Sequence, residues 1–237
     1  DENFGSDISH SYEMARILKK HDLLWIASGI RCTSVKYEDI KFFKEHNCSA
    51  LKFGIESGSQ KILDIMDKIF TTDHINTALN NCLKLSIYSP LAMMLGMPGE
   101  TDETARETGA FLGERSALLG THPEVAGYDL FYAKAFPGTP LYEYGQLTGV
   151  FGKTIEEEEQ YLKNVSNESF YKRYYVNLTG APVKDVVFWD WLVKLEASRV
   201  YHQKKRTLSS GNSDYAEISK KNLEREKKNN PNRGLKY

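Results

Sequence analysis

The sequence predicts an α/β protein, with a parallel sheet built by the first 140 residues and a helical carboxyl-terminal third. Two observations carry that prediction. Four short apolar runs alternate with helix-period segments at spacings of roughly 27 to 40 residues, the rhythm of βαβ units. Beyond residue 150 the short runs stop and only the helical period remains. Right-handed crossovers then either curl the units into a barrel or stack them as an open sheet. The 237 residues suit one large domain, or one domain with an appendage.

In chain order, Met14, Ile17 and Leu18 share one face of a first helix that Asp7 or Ser9 can cap. The first strand is expected at Leu23–Ser28. Ile40, Phe43 and Phe42 mark the next helix, after Ser34, and Ala50–Ile55 the second strand. Ile75, Leu79, Cys82 and Leu83 follow Thr72 on one helical face, leading to a strand at Leu91–Leu95. Thr101 is a suitable N-cap for the helix carrying Phe111, Leu112, Leu118 and Leu119, with Asp102 and Glu103 in the first turn where the helix dipole favours them. The fourth run is Gly127–Ala135. Glu156–Glu159 reads as a solvated helix start. The longest carboxyl-terminal helix is expected over Val183–Lys205, with Val187, Trp191, Leu195 and Val200 near one face and Pro182 near its start. Tyr161, Phe170, Tyr171, Tyr174 and Tyr175 form an aromatic stretch of the kind that fills a core or an interface.

Charge divides unevenly. From Arg199 to the end there are 11 Lys/Arg against 4 Asp/Glu, leaving 20 against 28 for residues 1–198. The tail is therefore basic and the body acidic, but the formal net charge is only -1, which argues against nucleic-acid binding through overall charge. No aromatic residues interleave with the tail's charges to stack on bases. No apolar run approaches the roughly 20 residues of a membrane span, and no secretory signal opens the chain, so the sequence reads as cytoplasmic. Cys32, Cys48 and Cys82 are odd in number and widely spaced, unlike a disulfide framework or a metal motif. The six histidines show no paired ligand spacing either.

In parallel α/β proteins ligands gather at the carboxyl ends of the strands. Each apolar run is followed by residues suited to that edge: Gly29-Ile30-Arg31-Cys32-Thr33-Ser34, Phe53-Gly54-Ile55-Glu56-Ser57-Gly58-Ser59, Gly96-Met97-Pro98-Gly99-Glu100-Thr101, and Lys134-Ala135-Phe136-Pro137-Gly138-Thr139-Pro140. Any one of them also reads as an ordinary turn or N-cap. Together with the opening Asp1-Glu2-Asn3-Phe4, they resemble the radical S-adenosylmethionine (SAM) enzymes, and within them the branch that often carries a cobalamin-binding domain. The resemblance covers about residues 1–150. It implies a partial parallel (β/α) barrel, an incomplete TIM-type barrel, with an α-helical carboxyl-terminal extension.

The resemblance also implies roles. Asp1 and Glu2 match the acidic loop that receives the SAM amino group through a charge-assisted hydrogen bond. Arg31 matches a polar residue that reaches SAM. Glu56, with Ser57 beside it, matches the strand end that approaches the ribose, where a carboxylate accepts from both hydroxyls. Lys68 falls where a basic residue pairs with the SAM carboxylate. Met97 and Pro98 match the adenine contact, with Gly96 and Gly99 permitting close approach. Phe136, with Pro137, closes the pocket. The cofactors implied are SAM, a 4Fe-4S cluster and, for this branch, cobalamin; the partners are a small-molecule substrate and a reductant protein.

One departure from the family pattern bears on all of this. The cluster requires three cysteine thiolates at CxxxCxxC spacing, and no such motif is present. The opening residues read as a loop leaving a strand, so the expectation is that the motif lies upstream, that residues 1–150 are the carboxyl-terminal portion of a catalytic barrel, that 151–206 are a helical extension, and that 207–237 are a polar basic tail. The whole protein would then modify a small organic substrate by radical or methyl-transfer chemistry, with this chain alone inactive. The alternative is a barrel without a cluster that binds SAM or a protein without catalysis; a weaker one is an unrelated α/β-barrel enzyme.

Overall fold

In the computed structural model, which describes residues 4–125, 128–165 and 176–210, the four apolar runs are the strands of one sheet. They are β1 (Trp25–Ile30), β2 (Cys48–Glu56), β3 (Leu91–Leu95) and β4 (Tyr128–Tyr132), all parallel and in the order β1-β2-β3-β4. The order never reverses, so right-handed crossovers lay every connecting helix on the same face. The arrangement is an arc of a (β/α) barrel; among the described residues it does not close.

The first strand begins two residues later than the sequence suggests. Asp22 adopts a left-handed φ of 51° and the Leu23 N–H bonds the Leu18 carbonyl, so Leu23 serves the end of the preceding helix α1 (Ile8–Lys20) instead of the sheet. Asp7 caps α1, its carboxylate accepting from the His10 N–H. The face of α1 is a correction: Ser11 and Ala15 are buried, whereas Met14 and Ile17 are exposed. Small residues let α1 lie close to its neighbours, and the Ser11 hydroxyl holds the Gly5 N–H at 3.2 Å.

α2 (Tyr37–Glu45) buries Ile40 and Phe43, and α4 (Thr72–Lys84) buries Ile75, Leu79, Cys82 and Leu83, as their apolar spacing requires. α5 (Asp102–Leu119) is capped by Thr101, which accepts from the Thr104 N–H, and stops at Gly120 in the left-handed conformation. A short helix missed by the period, α3 (Gln60–Ile65), bridges β2 and α4. Fully buried side chains such as Phe43, Phe53, Ile55, Met93 and Leu95 fill the layer between sheet and helices. Each contributes about 1.5–3 kcal/mol by leaving water.

The carboxyl-terminal helices are α6 (Pro140–Thr148), α7 (Ile155–Val165) and α8 (Val183–Ser210). A second core gathers Met97, Ala133, Ala135, Tyr142, Phe151, Tyr161 and Val165, so α6 and α7 pack beneath the loops that leave β3 and β4. Tyr161, from the expected aromatic stretch, is buried and bonds both the N–H and the carbonyl of Ala135; Phe170, Tyr171, Tyr174 and Tyr175 lie outside the described residues. The glutamate run starts α7 but is not merely solvated. Glu157 accepts from the N–H groups of Lys153 and Thr154, and Glu158 from Tyr142 and Gln146.

α8 returns to the main core and lies along α5. Its buried face is Val186, Trp189, Val193, Ala197 and Val200. This corrects the expected face, since Val187, Trp191 and Leu195 are exposed, Trp191 by 61%. The reason lies on α5, where Gly109 and Gly113 admit α8 so closely that only its smaller side chains fit against them. Among the described residues no helix is long and apolar enough to cross a membrane.

Candidate functional site: the carboxyl rim of the sheet

Alternation along the strands separates two faces. Leu51, Phe53 and Ile55 of β2 and Leu91, Met93 and Leu95 of β3 point into the helix layer and are buried. Lys52, Gly54 and Glu56, with Ala92 and Met94, therefore share the opposite face, where Met94 packs against the second core of α6 and α7. Lys52 reaches Asp129 of β4 across the small Ala92 at 2.6 Å, so this face carries its own ion pair low in the sheet.

Because all four strands run the same way, their carboxyl ends form one rim. Arg31 follows β1, Glu56 ends β2, Gly96 to Gly99 follow β3, and Phe136 lies four residues beyond β4. The convergence expected from the sequence is thus present. The orientation of each side chain is more particular.

Glu56 sits at a bulge, with a register shift between Gly54 and Glu56 and a left-handed φ of 61°. A non-glycine residue there stores backbone strain of about 1–3 kcal/mol, and such strain concentrates at ligand sites. The bulge turns the carboxylate back over Gly54: a Cβ added to Gly54 would lie 3.0 Å from Glu56 Oε1. Lys68 donates to that same oxygen at 3.0 Å, and both side chains are partly buried. Arg31 donates to the Lys68 carbonyl at 2.8 Å, fixing the Met66–Ile69 turn in which Asp67 and Ile69 are both left-handed. Three of the expected residues thus form one linked unit at the rim.

Two of the expected residues point elsewhere. Ser57 is 1% exposed and spends its hydroxyl on Thr108 of α5 and on the Ser59 N–H. Met97 is buried in the second core and Gly96 is buried too, leaving half-buried Pro98 and exposed Gly99 at the surface of that loop. Phe136 is 49% exposed above the rim. Asp1 and Glu2 lie outside the described residues.

Sequence reading passed over Glu100, which looked like the end of a turn. Met97-Pro98-Gly99-Glu100 is that turn, closed by the Glu100 N–H on the Met97 carbonyl, with Gly99 at φ 82°. Glu100 itself is buried at 4% exposure. Burial pushes its carboxyl up to about 7, opposed by the Thr104 hydroxyl, the N–H groups of Gly96 and Met97, and the field of Lys61.

The cysteines do not fit a cluster. Cys32 follows β1 at the rim, Cys48 opens β2 at the opposite edge, and Cys82 faces inward from α4. All three are buried, and burial pushes their thiols up to about 11, 12 and 12 respectively, far from the thiolate that ligates iron. Consequently a thiol-specific disulfide reagent at pH 8 is expected to titrate none of the three in the native protein and all three in denaturant. Rapid native reaction of one thiol would contradict this placement.

Residues 2–112 match the profile of the radical SAM superfamily. A protein of Pyrococcus horikoshii named as an uncharacterized methyltransferase is 27% identical over 146 residues, covering 61% of this chain and 30% of that one. The radical SAM methyltransferase TsrM of Kitasatospora setae, solved with cobalamin and a 4Fe-4S cluster bound, superposes with a TM-score of 0.51 at 19% identity, over 65% of this chain and 31% of that one. The same enzyme with its tryptophan substrate and a SAM analogue gives 0.50 at 20% identity, over 63% and 30%. At those identities the structural likeness speaks to the fold. The chain spans about a third of the length of these relatives. Residues 2–112, the part that matches the radical SAM superfamily profile, carry β1 to β3, the rim through Glu100 and the first turns of α5.

Proposed function

We propose that this chain supplies the rim that holds the nucleoside and amino-acid ends of SAM in a radical SAM protein. The whole protein would carry out radical or methyl-transfer chemistry on a small organic substrate. The observation that carries the reading is the Glu56–Lys68 pair over Gly54: a carboxylate and an ammonium, partly buried and held at a strained strand end, within the residues that match the radical SAM profile. A ribose offers two hydroxyl donors to such a carboxylate, and a free amino acid's carboxylate suits the ammonium. Each ligand group would replace half of the resident ion pair, so neither charge is left unpaired on binding. Arg31 keeps Lys68 in place through its carbonyl, half-buried Pro98 offers an apolar surface for a purine, and Phe136 stands over the opening.

SAM supplies an electrophilic methyl group or, reduced at an iron–sulfur centre, a carbon radical. The cysteines of this chain do not fit that centre, and we place it, with the reductant protein that would feed it, outside these residues. Cobalamin enters through TsrM alone and is part of the proposal for the whole protein.

Calorimetric titration of the chain with SAM tests the reading. The Glu56→Ala variant is expected to bind SAM at least tenfold more weakly, the loss of one or two charge-assisted hydrogen bonds, with an unchanged circular dichroism spectrum. Equal affinities for both proteins would retire Glu56 from the site.

A further inference from the structure

The sheet face that carries Glu56 also holds a second pair of opposite charges, which the binding roles above do not use. Gly54, Ala92 and Asp129 are register partners across β2, β3 and β4, so they form one row on that face. Lys52 stands two residues before Gly54 on the same side of β2, and its ammonium reaches Asp129 at 2.6 Å. The two side chains are 33% and 53% exposed. An ion pair this open adds little to a fold, and the strands are already joined by their backbone ladders, so neither charge is committed to holding the sheet together.

The rim pair stands directly above. Glu56 leaves the same strand, and its carboxylate turns back until Oε1 lies over Gly54. The two ion pairs therefore border one small bench, Gly54 and Ala92, whose side chains are a hydrogen and a methyl group. Small residues let a ligand approach the backbone closely. Met94, two residues beyond Ala92 on the same face, packs against the second core and closes the bench on that side.

We propose that Lys52 and Asp129 anchor the substrate, and that the substrate is a free α-amino acid. This rests on the reading of Glu56 as a SAM contact, which makes the bench the place where substrate meets cofactor. An α-carboxylate accepts from the Lys52 ammonium, and an α-ammonium donates to the Asp129 carboxylate. Each group replaces one half of the resident pair, so no charge is stranded. A ligand with only one charge would part the pair and serve one member alone. Because Glu56 lies over Gly54, the anchored end sits beside the ribose that Glu56 would hold, and the carbon acted on is within a few bonds of the amino-acid head. Lys52 and Asp129 select the substrate's charge pattern and take no part in the bond that changes.

Amide proton–nitrogen spectra of the full chain, recorded without SAM, test the anchor. Each common L-amino acid is added singly. At least one is expected to shift the Gly54 and Ala92 amides saturably. Its carboxamide and its deaminated acid should each bind at least tenfold more weakly, the loss of one charge-assisted hydrogen bond. Lys52→Met should erase the preference for the amino acid over its carboxamide, and Asp129→Asn the preference over the deaminated acid. A merely structural ion pair would not give that crossed pattern, and either variant supplies half of it if the other fails to fold. Amides that respond to no amino acid, or preferences that persist in the variants, overturn the anchor. Amino-acid binding in a chain that does not bind SAM supports the anchor and sinks the cofactor reading; SAM binding with no amino-acid response does the reverse.

Discussion

Gly113→Ala is expected to destabilise the protein by about 2–3 kcal/mol, the cost of overpacking a well-filled contact. The intrinsic preference runs the other way, since alanine is favoured over glycine within a helix by about 1 kcal/mol. The crossing of α5 and α8 decides the sign. A Cβ on Gly113 would lie 2.8 Å from the Val200 Cβ and 3.0 Å from the Tyr201 backbone nitrogen, and nearer still to the Ala197 carbonyl oxygen. Those are largely backbone atoms of a helix that cannot step aside without lifting Val186, Trp189, Val193 and Ala197 out of the main core. Gly109→Ala meets the Val193 carbonyl at 2.6 Å and should cost a similar amount. The double variant should fall short of the sum, because the first substitution already parts the helices. Urea unfolding measures both. A gain in stability for either variant would mean that α8 does not lie against α5 in solution.

That crossing also shows where sequence reading fell short. The strands were legible to within a few residues because each is a short run of apolar and small residues bounded by turn residues. The caps were legible because Asp7 and Thr101 perform a local task that their neighbours in sequence define. The faces of α1 and α8 were not. On α1 Met14 and Ile17 point outward while Ser11 and Ala15 set the contact; on α8 Val187, Trp191 and Leu195 are exposed, while Trp189 is buried and Val193 and Ala197 lie opposite glycines. A period of apolar residues reports where large side chains recur, and a close helix approach selects for small ones. The site divides in the same way. Gly, Pro and a charged residue after each strand located the rim, but directions within it depend on contacts distant in sequence: Arg31 serves the Lys68 carbonyl and Ser57 serves Thr108. Glu100 was invisible because Pro-Gly-Glu-Thr is complete as a turn followed by an N-cap, and only the packing of α5 shows that the side chain is enclosed.

Enclosure has a measurable consequence for stability. In the unfolded chain Glu100 titrates near its ordinary 4.5, and in the folded protein at about 7. Between those values the native state holds a proton that the unfolded state has released, so folding stability falls as pH rises through this window. The lost stability reaches roughly 3 kcal/mol above neutrality and is fully restored below the ordinary carboxylate range. Glu157 and Glu196, whose carboxyls are held below the usual range by backbone N–H groups and by Arg199 respectively, act in the opposite sense at more acid pH and leave this window clear. Glu100→Gln, neutral at every pH and nearly the same shape, should therefore be more stable than the wild type at pH 8 by about 2–3 kcal/mol and close to it at pH 5. Urea unfolding of both proteins at the two pH values reads the difference directly, and a gap that stays constant with pH would mean that the carboxyl is solvated. A sequence selected for stability alone would carry glutamine here.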